Sequence, residues 1–151
     1  MAILIRLALS AVLCAVLTTG LFPQTGQATE APAVRDGIFI HISQGANDPH
    51  RVLMPLKMAE LMADSRDVLI YFDIKGVEVV LKDAEDIVYS HFPTSKKQLK
   101  ALLAAGVEMH VCPGCLKAAG KTAKDVMDGV KIANKDRFFS FTKGRILTLD
   151  Y

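Results

Sequence analysis

Apolar and polar positions along the chain switch between a period of two and a period near 3.6, and the switches fall at glycines, prolines and polar clusters. "GIFIHIS" (37–43) is β-branched and aromatic and runs into the turn-rich "SQGANDPH", which predicts a first strand. Asp48-Pro49 then opens a helix, with Asp accepting from unpaired N–H groups and Pro needing none. Val52, Leu53, Leu56 and Ala59, with Met54, Met58, Leu61 and Met62, cover two adjoining faces of it. Pro55 removes one backbone bond and predicts a kink or a late start. "DVLIYFDI" (67–74) is nearly continuous in apolar residues, as a central strand covered on both faces would be. "GVEVVLK" (76–82) reads as a short extension or a loop lining the strand end. Ser95 and Gln98 stand at capping-box spacing before a Leu99, Leu102, Leu103 stripe, and Gly106 suits a left-handed cap. "VEMHV" (107–111) alternates, with Val107, Met109 and Val111 on one face and Glu108 and His110 on the other.

"CLKAAG" (115–120) predicts a short helix ending at Gly120, and Thr122 with Asp125 starts another by capping spacing. "DRFFSFTKG" (136–144) fits a helical turn or a hairpin arm, and "RILTLDY" (145–151) closes the chain as a strand. Alternating strands and helices predict an α/β fold: an open, mostly parallel sheet of about five strands with helices on both faces. Chemistry in such sheets gathers outside the carboxyl ends of the strands. The loops 43–50, 73–76 and 112–115 lie there.

Ahead of this domain, "MAILIRLALSAVLCAVLTTGLFPQTGQA" has a basic Arg6, an apolar Leu7 to Leu17 and the small-x-small Gly26-Gln27-Ala28. It reads as a signal peptide, 1–28, followed by a polar linker, 29–36, and a domain, 37–151. The apolar run is short against the roughly 20 residues of a bilayer span, and no basic stop-transfer cluster follows. The expected destination is the periplasm, with no stable membrane span after cleavage. The domain's composition, 51% hydrophobic and 23% charged over the whole chain, supports one ordinary core. A net charge of +2 and the lack of a Lys/Arg stripe with aromatics argue against a nucleic-acid partner.

Export changes the meaning of the cysteines. Cys14 leaves with the signal, and an even pair, Cys112 and Cys115, remains where disulfides persist. In "VEMHVCPGCLKAAG" the pair sits between a strand and a helix, where unpaired backbone N–H groups favour thiolate over thiol. Cys112 is therefore expected to be the reactive sulfur, with Cys115 positioned to resolve a disulfide, sulfenate or persulfide formed on it. His110, two residues before Cys112 on a regular strand, points to the same side and is a candidate to share its proton, or else is an ordinary strand-face histidine.

Other chemistries fit less well. Thioredoxin-like domains place C-P-G-C early and follow it with a cis-Pro; here the pair is late and no proline follows Pro113. One C-x-x-C gives two of the four ligands of structural zinc, with His110 a third and His41, His50 or His91 a distant fourth. Haem attachment needs His after Cys115, where Leu116 stands. No metal and no cofactor is expected. A static disulfide or two inert thiols is the plain alternative. Asp73, after the second strand, reads more as a capping group than as a site residue. There is no G-x-S-x-G, phosphate-binding loop or dinucleotide fingerprint.

From Gly37 to Tyr151 the chain resembles the DsrE/DsrF-like family, which includes TusBCD-type sulfur-relay subunits and YchN-like proteins. The resemblance is carried by "GIFIHIS" with its polar loop and Met/Leu-rich helix, "VLIYFDIKGVEVVL", "LLAAGVEMHVCPGC" and "AAGK". It implies a small α/β domain that forms oligomers, here a homo-oligomer. It also places Cys112 where the family's sulfur-accepting cysteine stands, with sulfur donor and acceptor proteins or small thiols as partners. Relay subunits are cytoplasmic and need one cysteine, whereas this chain reads as exported and has two. The reading that meets both points is an exported sulfur carrier or sulfurtransferase. The alternatives are an oligomeric binding module with a structural disulfide, or a periplasmic thiol-disulfide oxidoreductase.

Overall fold

The computed structural model describes residues 33–151; the expected signal peptide and the first part of the linker lie outside the described residues. Five strands form one parallel sheet: β1 (Gly37–Ile42), β2 (Asp67–Phe72), β3 (Glu108–Val111), β4 (Lys131–Ile132) and β5 (Ile146–Asp150), in the order β4-β3-β2-β1-β5. Helices α1 (His50–Met62), α2 (Ser95–Ala104), α3 (Pro113–Ala118) and α4 (Lys135–Phe138) connect them. This is the parallel α/β sheet that the alternation predicts.

Strand order explains where the helices go. β1 to β3 are laid down side by side in one direction, and right-handed crossovers then put α1 and α2 on the same face. Ile40, Ile42, Ile70, Phe72, Met109 and Val111 point to that face and pack under Leu53, Leu56, Leu99 and Leu102, all fully buried or nearly so. The return from β4 to β5 runs the other way, past both β3 and β2 to the far side of β1. It places the single turn of α4 on the opposite face, where the Phe138 ring meets Phe39 at 5.2 Å and Tyr71 edge-on at 4.6 Å between centroids. That second face is thinly covered.

Most element ends follow the local signals. Asp48 Oδ1 accepts from Arg51 N at 3.3 Å, and α1 continues through Pro55, whose missing donor falls within its second turn. Gly106 (φ 79°) and Gly120 (φ 67°) end α2 and α3 in left-handed caps, with Val107 N donating to Leu102 O and Lys121 N to Leu116 O. Residues 136–138 take the helical turn. Three local expectations are corrected. Ser95 is not the cap of α2: Thr94 is, and the buried Ser95 hydroxyl instead accepts from Ile87 N at 2.9 Å and donates to Asp86. Thr122 and Asp125 do form a capping box, but only a 3-10 turn, Ala123–Asp125, follows. "GVEVVLK" is neither strand nor open loop, because Ile74–Val80 coil as a 3-10 segment against the sheet. The two-residue β4 was not foreseen.

The 3-10 segment matters for the site because it is pinned to the end of β1. Asp73 N donates to Ile42 O and Lys75 N to Ser43 O, while Gly76 lies so close to the Ile42 carbonyl that no Cβ fits. Held on both sides, Ile74 takes a left-handed φ of 47°, an outlier for a β-branched residue, and its side chain is 63% exposed. Such a conformation costs roughly 1–2 kcal/mol, more than the roughly 0.5–1 kcal/mol that glycine loses to backbone entropy. Ile74→Gly is therefore expected to stabilise the protein by about 0.5–1 kcal/mol. Urea denaturation checks this, and any loss of stability would show that the Ile74 side chain contributes more than its backbone strain removes.

Candidate functional site

The sheet carries Cys112 one residue past β3, still within the ladder: its N–H donates to Phe72 O at 2.9 Å. There the chain turns into α3. Cys112 is the N-cap, with extended backbone (φ −66°, ψ 117°), and Pro113 follows where no donor is needed. In place of the usual oxygen, Cys112 Sγ accepts from Cys115 N at 3.4 Å. Both cysteines are free thiols and both are half-buried.

The two sulfurs are not equivalent. Burial pushes the Cys112 thiol up, but the Tyr71 hydroxyl, the Cys115 N–H, the Cys115 thiol and the Gly114 N–H all favour its thiolate, and the net shift is down. Cys115 goes the other way. Burial raises it, the neighbouring Cys112 sulfur and the Asp73 carboxylate raise it further, and the Ile74 N–H only partly opposes them. The phenol of Tyr71 is also raised, by burial and by Cys112, so it stays protonated as a donor. The arrangement favours the thiolate at Cys112 and the protonated thiol at Cys115. A six-residue helix has a small dipole, so directed N–H and O–H groups do most of this.

His110 shares the sheet face of Cys112 but is engaged elsewhere. It is fully buried, and its Nε2 meets Glu108 Oε2 at 3.0 Å while its Nδ1 has no partner. Burial lowers its pKa against the pull of Glu108, and Lys131 and Arg137 lower it further, so the ring is neutral at pH 7. Tyr71 thus occupies the place beside the thiol that the strand pattern suggested for His110. Tyr71→Phe is expected to raise the Cys112 pKa, whereas His110→Asn, which removes no group acting on the sulfur, leaves it in place. The pH dependence of Cys112 alkylation separates the two.

A second cluster closes the same edge at the β1–β5 side, where the strand order reverses. His41 stands between two carboxylates, Nε2 at 2.8 Å from Asp73 Oδ1 and Nδ1 at 2.9 Å from Asp150 Oδ1. Burial pulls its pKa down, but both carboxylates outweigh burial and the net shift is up. Imidazolium, a donor at both nitrogens, satisfies both contacts. Because the folded value exceeds the unfolded one, this cluster contributes its full stability below pH about 6.5 and loses it as pH rises through the raised value. The exposed Asp150 arm adds little to that sum. In a Cys112→Ser background, which removes the opposite slope of the thiol, His41→Gln is expected to flatten the stability loss above pH 6.5. Urea midpoints at pH 6 and 8.5 measure it.

Tyr71, Asp150 and Ile74 carry no signal of their own in the sequence, which offers His41 only as a distant fourth zinc ligand and Asp73 as a cap. One signal was available: His41, Tyr71 and Asp73 fall on one side of their strands by alternation, as do Glu108, His110 and Cys112. What alternation could not supply is which strands are neighbours. Among the described residues, no group of three or more His, Cys, Asp or Glu is arranged to hold a metal ion.

A parallel five-stranded α/β fold with a thiol at the carboxyl edge of β3 is the class of protein that this geometry defines. Residues 36–143 match the DsrE/DsrF-like family, and the chain belongs to that family, one generally related to sulfur relay. Two solved structures share the fold. The ychN protein from E. coli superposes with a TM-score of 0.59 at 16% identity, over 78% of this chain and 100% of its own. MTH1491 from Methanobacterium thermoautotrophicum, described as a protein of unknown function, gives 0.55 at 22% identity over the same shares. At such identities the likeness speaks for the fold alone. No curated protein matches the chain.

Proposed function

We propose that this protein is an exported sulfur carrier or sulfurtransferase in which Cys112 accepts persulfide sulfur and Cys115 resolves it. The observation that carries the reading is the Cys112 sulfur itself. It is half-exposed at the sheet edge, it accepts the Cys115 N–H at 3.4 Å, and neighbouring donors hold it below the ordinary thiol range. Membership of a sulfur-relay-related family supports the same chemistry. The signal-like N-terminus supports action in the periplasm, and the thinly covered sheet face supports a homo-oligomer. Sulfur donors and acceptors are proteins or small thiols.

The steps balance without a cofactor. The Cys112 thiolate attacks the outer sulfur of a donor persulfide, RSSH, forming Cys112–S–SH and releasing RS⁻. An acceptor thiolate then attacks the outer sulfur of Cys112–S–SH, takes it as its own persulfide and restores the Cys112 thiolate. If no acceptor comes, Cys115, once deprotonated, attacks the inner sulfur and forms the Cys112–Cys115 disulfide, expelling HS⁻. An external dithiol then reduces the disulfide and is itself oxidised. Tyr71 donates to the sulfur that carries negative charge at each stage.

Intact mass spectrometry of the reduced protein after exposure to a persulfide donor is the direct test, with one added sulfur on Cys112 expected. Absence of any adduct, together with a disulfide resistant to glutathione, would assign the pair a structural role. Turnover in insulin reduction without sulfur retention would assign it to thiol-disulfide exchange. Recovery of a chain beginning at Thr29 from the periplasmic fraction tests export separately.

A further inference from the structure

Away from the thiols, α2 and the segment around Met127 flank a depression of about 390 Å³. Its floor is hydrocarbon: Val79, Leu81 and Leu99 are buried there, and Leu103 and Met127 line the mouth half-buried. Its rim is basic, with Lys82, Lys96 and Lys100 against one carboxylate, Asp128. Lys82 reaches Asp128 at 3.5 Å, but both are exposed, so that contact is screened and weak. Lys96 and Lys100, one turn apart on α2, have no carboxylate within ion-pair distance of their ammonium groups among the described residues.

Nearby acids are already engaged. Asp86 accepts from Lys96 N at 2.8 Å and from the Ser95 hydroxyl, and Asp125 is held by Thr122. Lys96 also stands in the first turn of α2, where a positive charge opposes the helix dipole. Helix stability does not account for these charges. A hollow with an apolar floor and a few convergent charges is the usual form of a ligand site, and its size is near the lower end of the roughly 300–1,000 Å³ range.

We infer that this hollow binds a monomeric single-chain amphiphile with an anionic head, such as a medium-chain carboxylate. The alkyl chain lies on Leu99, Leu103 and Met127, and the head sits between Lys96 and Lys100. Charge decides the sign of the head: the adjoining depression, rimmed by Glu78, Asp83 and Glu85 with one lysine, Lys121, is of the opposite character. The apolar groups lie inside the hollow, not spread over a flat face, which favours a single chain over a bilayer surface.

Isothermal titration of the purified chain with decanoate, below its aggregation concentration, tests this beside decyltrimethylammonium and anionic phospholipid vesicles. Saturable one-to-one binding of decanoate is expected, weakened roughly tenfold by Lys96→Glu and again by Lys100→Glu, while the melting temperature is not lowered by either, because both side chains are exposed and Glu at 96 suits the first turn of α2. Binding of the cation as tightly as the anion, undiminished binding in the double variant, or no saturation would overturn the assignment. Binding to vesicles without binding of decanoate would replace it with a membrane surface.

Discussion

Cys112→Ser is expected to abolish persulfide uptake, by at least about a thousandfold, while Cys115→Ser takes up sulfur and then fails to release sulfide. The asymmetry follows from the two environments. Only Cys112 has the Tyr71 hydroxyl and two backbone N–H groups turned toward it, and a serine hydroxyl there stays protonated at pH 7. Fold loss is not an alternative explanation, because serine is itself a favoured N-cap and keeps the contact from the backbone of residue 115. Cys115→Ser leaves that N–H in place and removes only the second sulfur, so the adduct persists until an external thiol collects it. Mass spectrometry over time reads both variants. Sulfur found on Cys115 in the Cys112→Ser protein would reverse the assigned roles.

Gly76→Ala is expected to destabilise the protein by about 3 kcal/mol, though it adds one methyl group. The new Cβ would overlap the Ile42 carbonyl, which is backbone in β1 and cannot move aside as a side chain would. Relief requires lifting the 3-10 segment off the strand, which breaks the Lys75 N to Ser43 O bond and withdraws the Ile74 N–H from Cys115. The comparison is Gly114→Ala. There the added Cβ would meet Cys112 Sγ at 3.8 Å, an ordinary contact, and alanine favours the helix. Denaturant midpoints compare the two, and similar stabilities would mean that the 3-10 segment yields more easily than its contacts imply.

The features legible in the sequence are those whose partners lie close along the chain. Gly106 and Gly120 announce their caps because a left-handed residue is needed there whatever surrounds it. The Cys112 to Cys115 turn is equally local, since the N–H that meets the sulfur is three residues away. Ser95 misled for a related reason: its hydroxyl could cap α2, but Ile87, eight residues back, claims it once the loop folds over. The strand β4 was invisible because two residues carry no periodicity; only their pairing with His110 and Val111 defines them.

Alternation, apolar runs and caps, each decided within a few residues, determined the elements, the parallel α/β class and the candidate sulfur. Tertiary structure alone decided which strands became neighbours, and so brought Tyr71 to Cys112, and Asp150, 109 residues distant, to His41. Strand order is settled by how whole apolar faces pack and how crossovers turn, and no single window of sequence contains that balance.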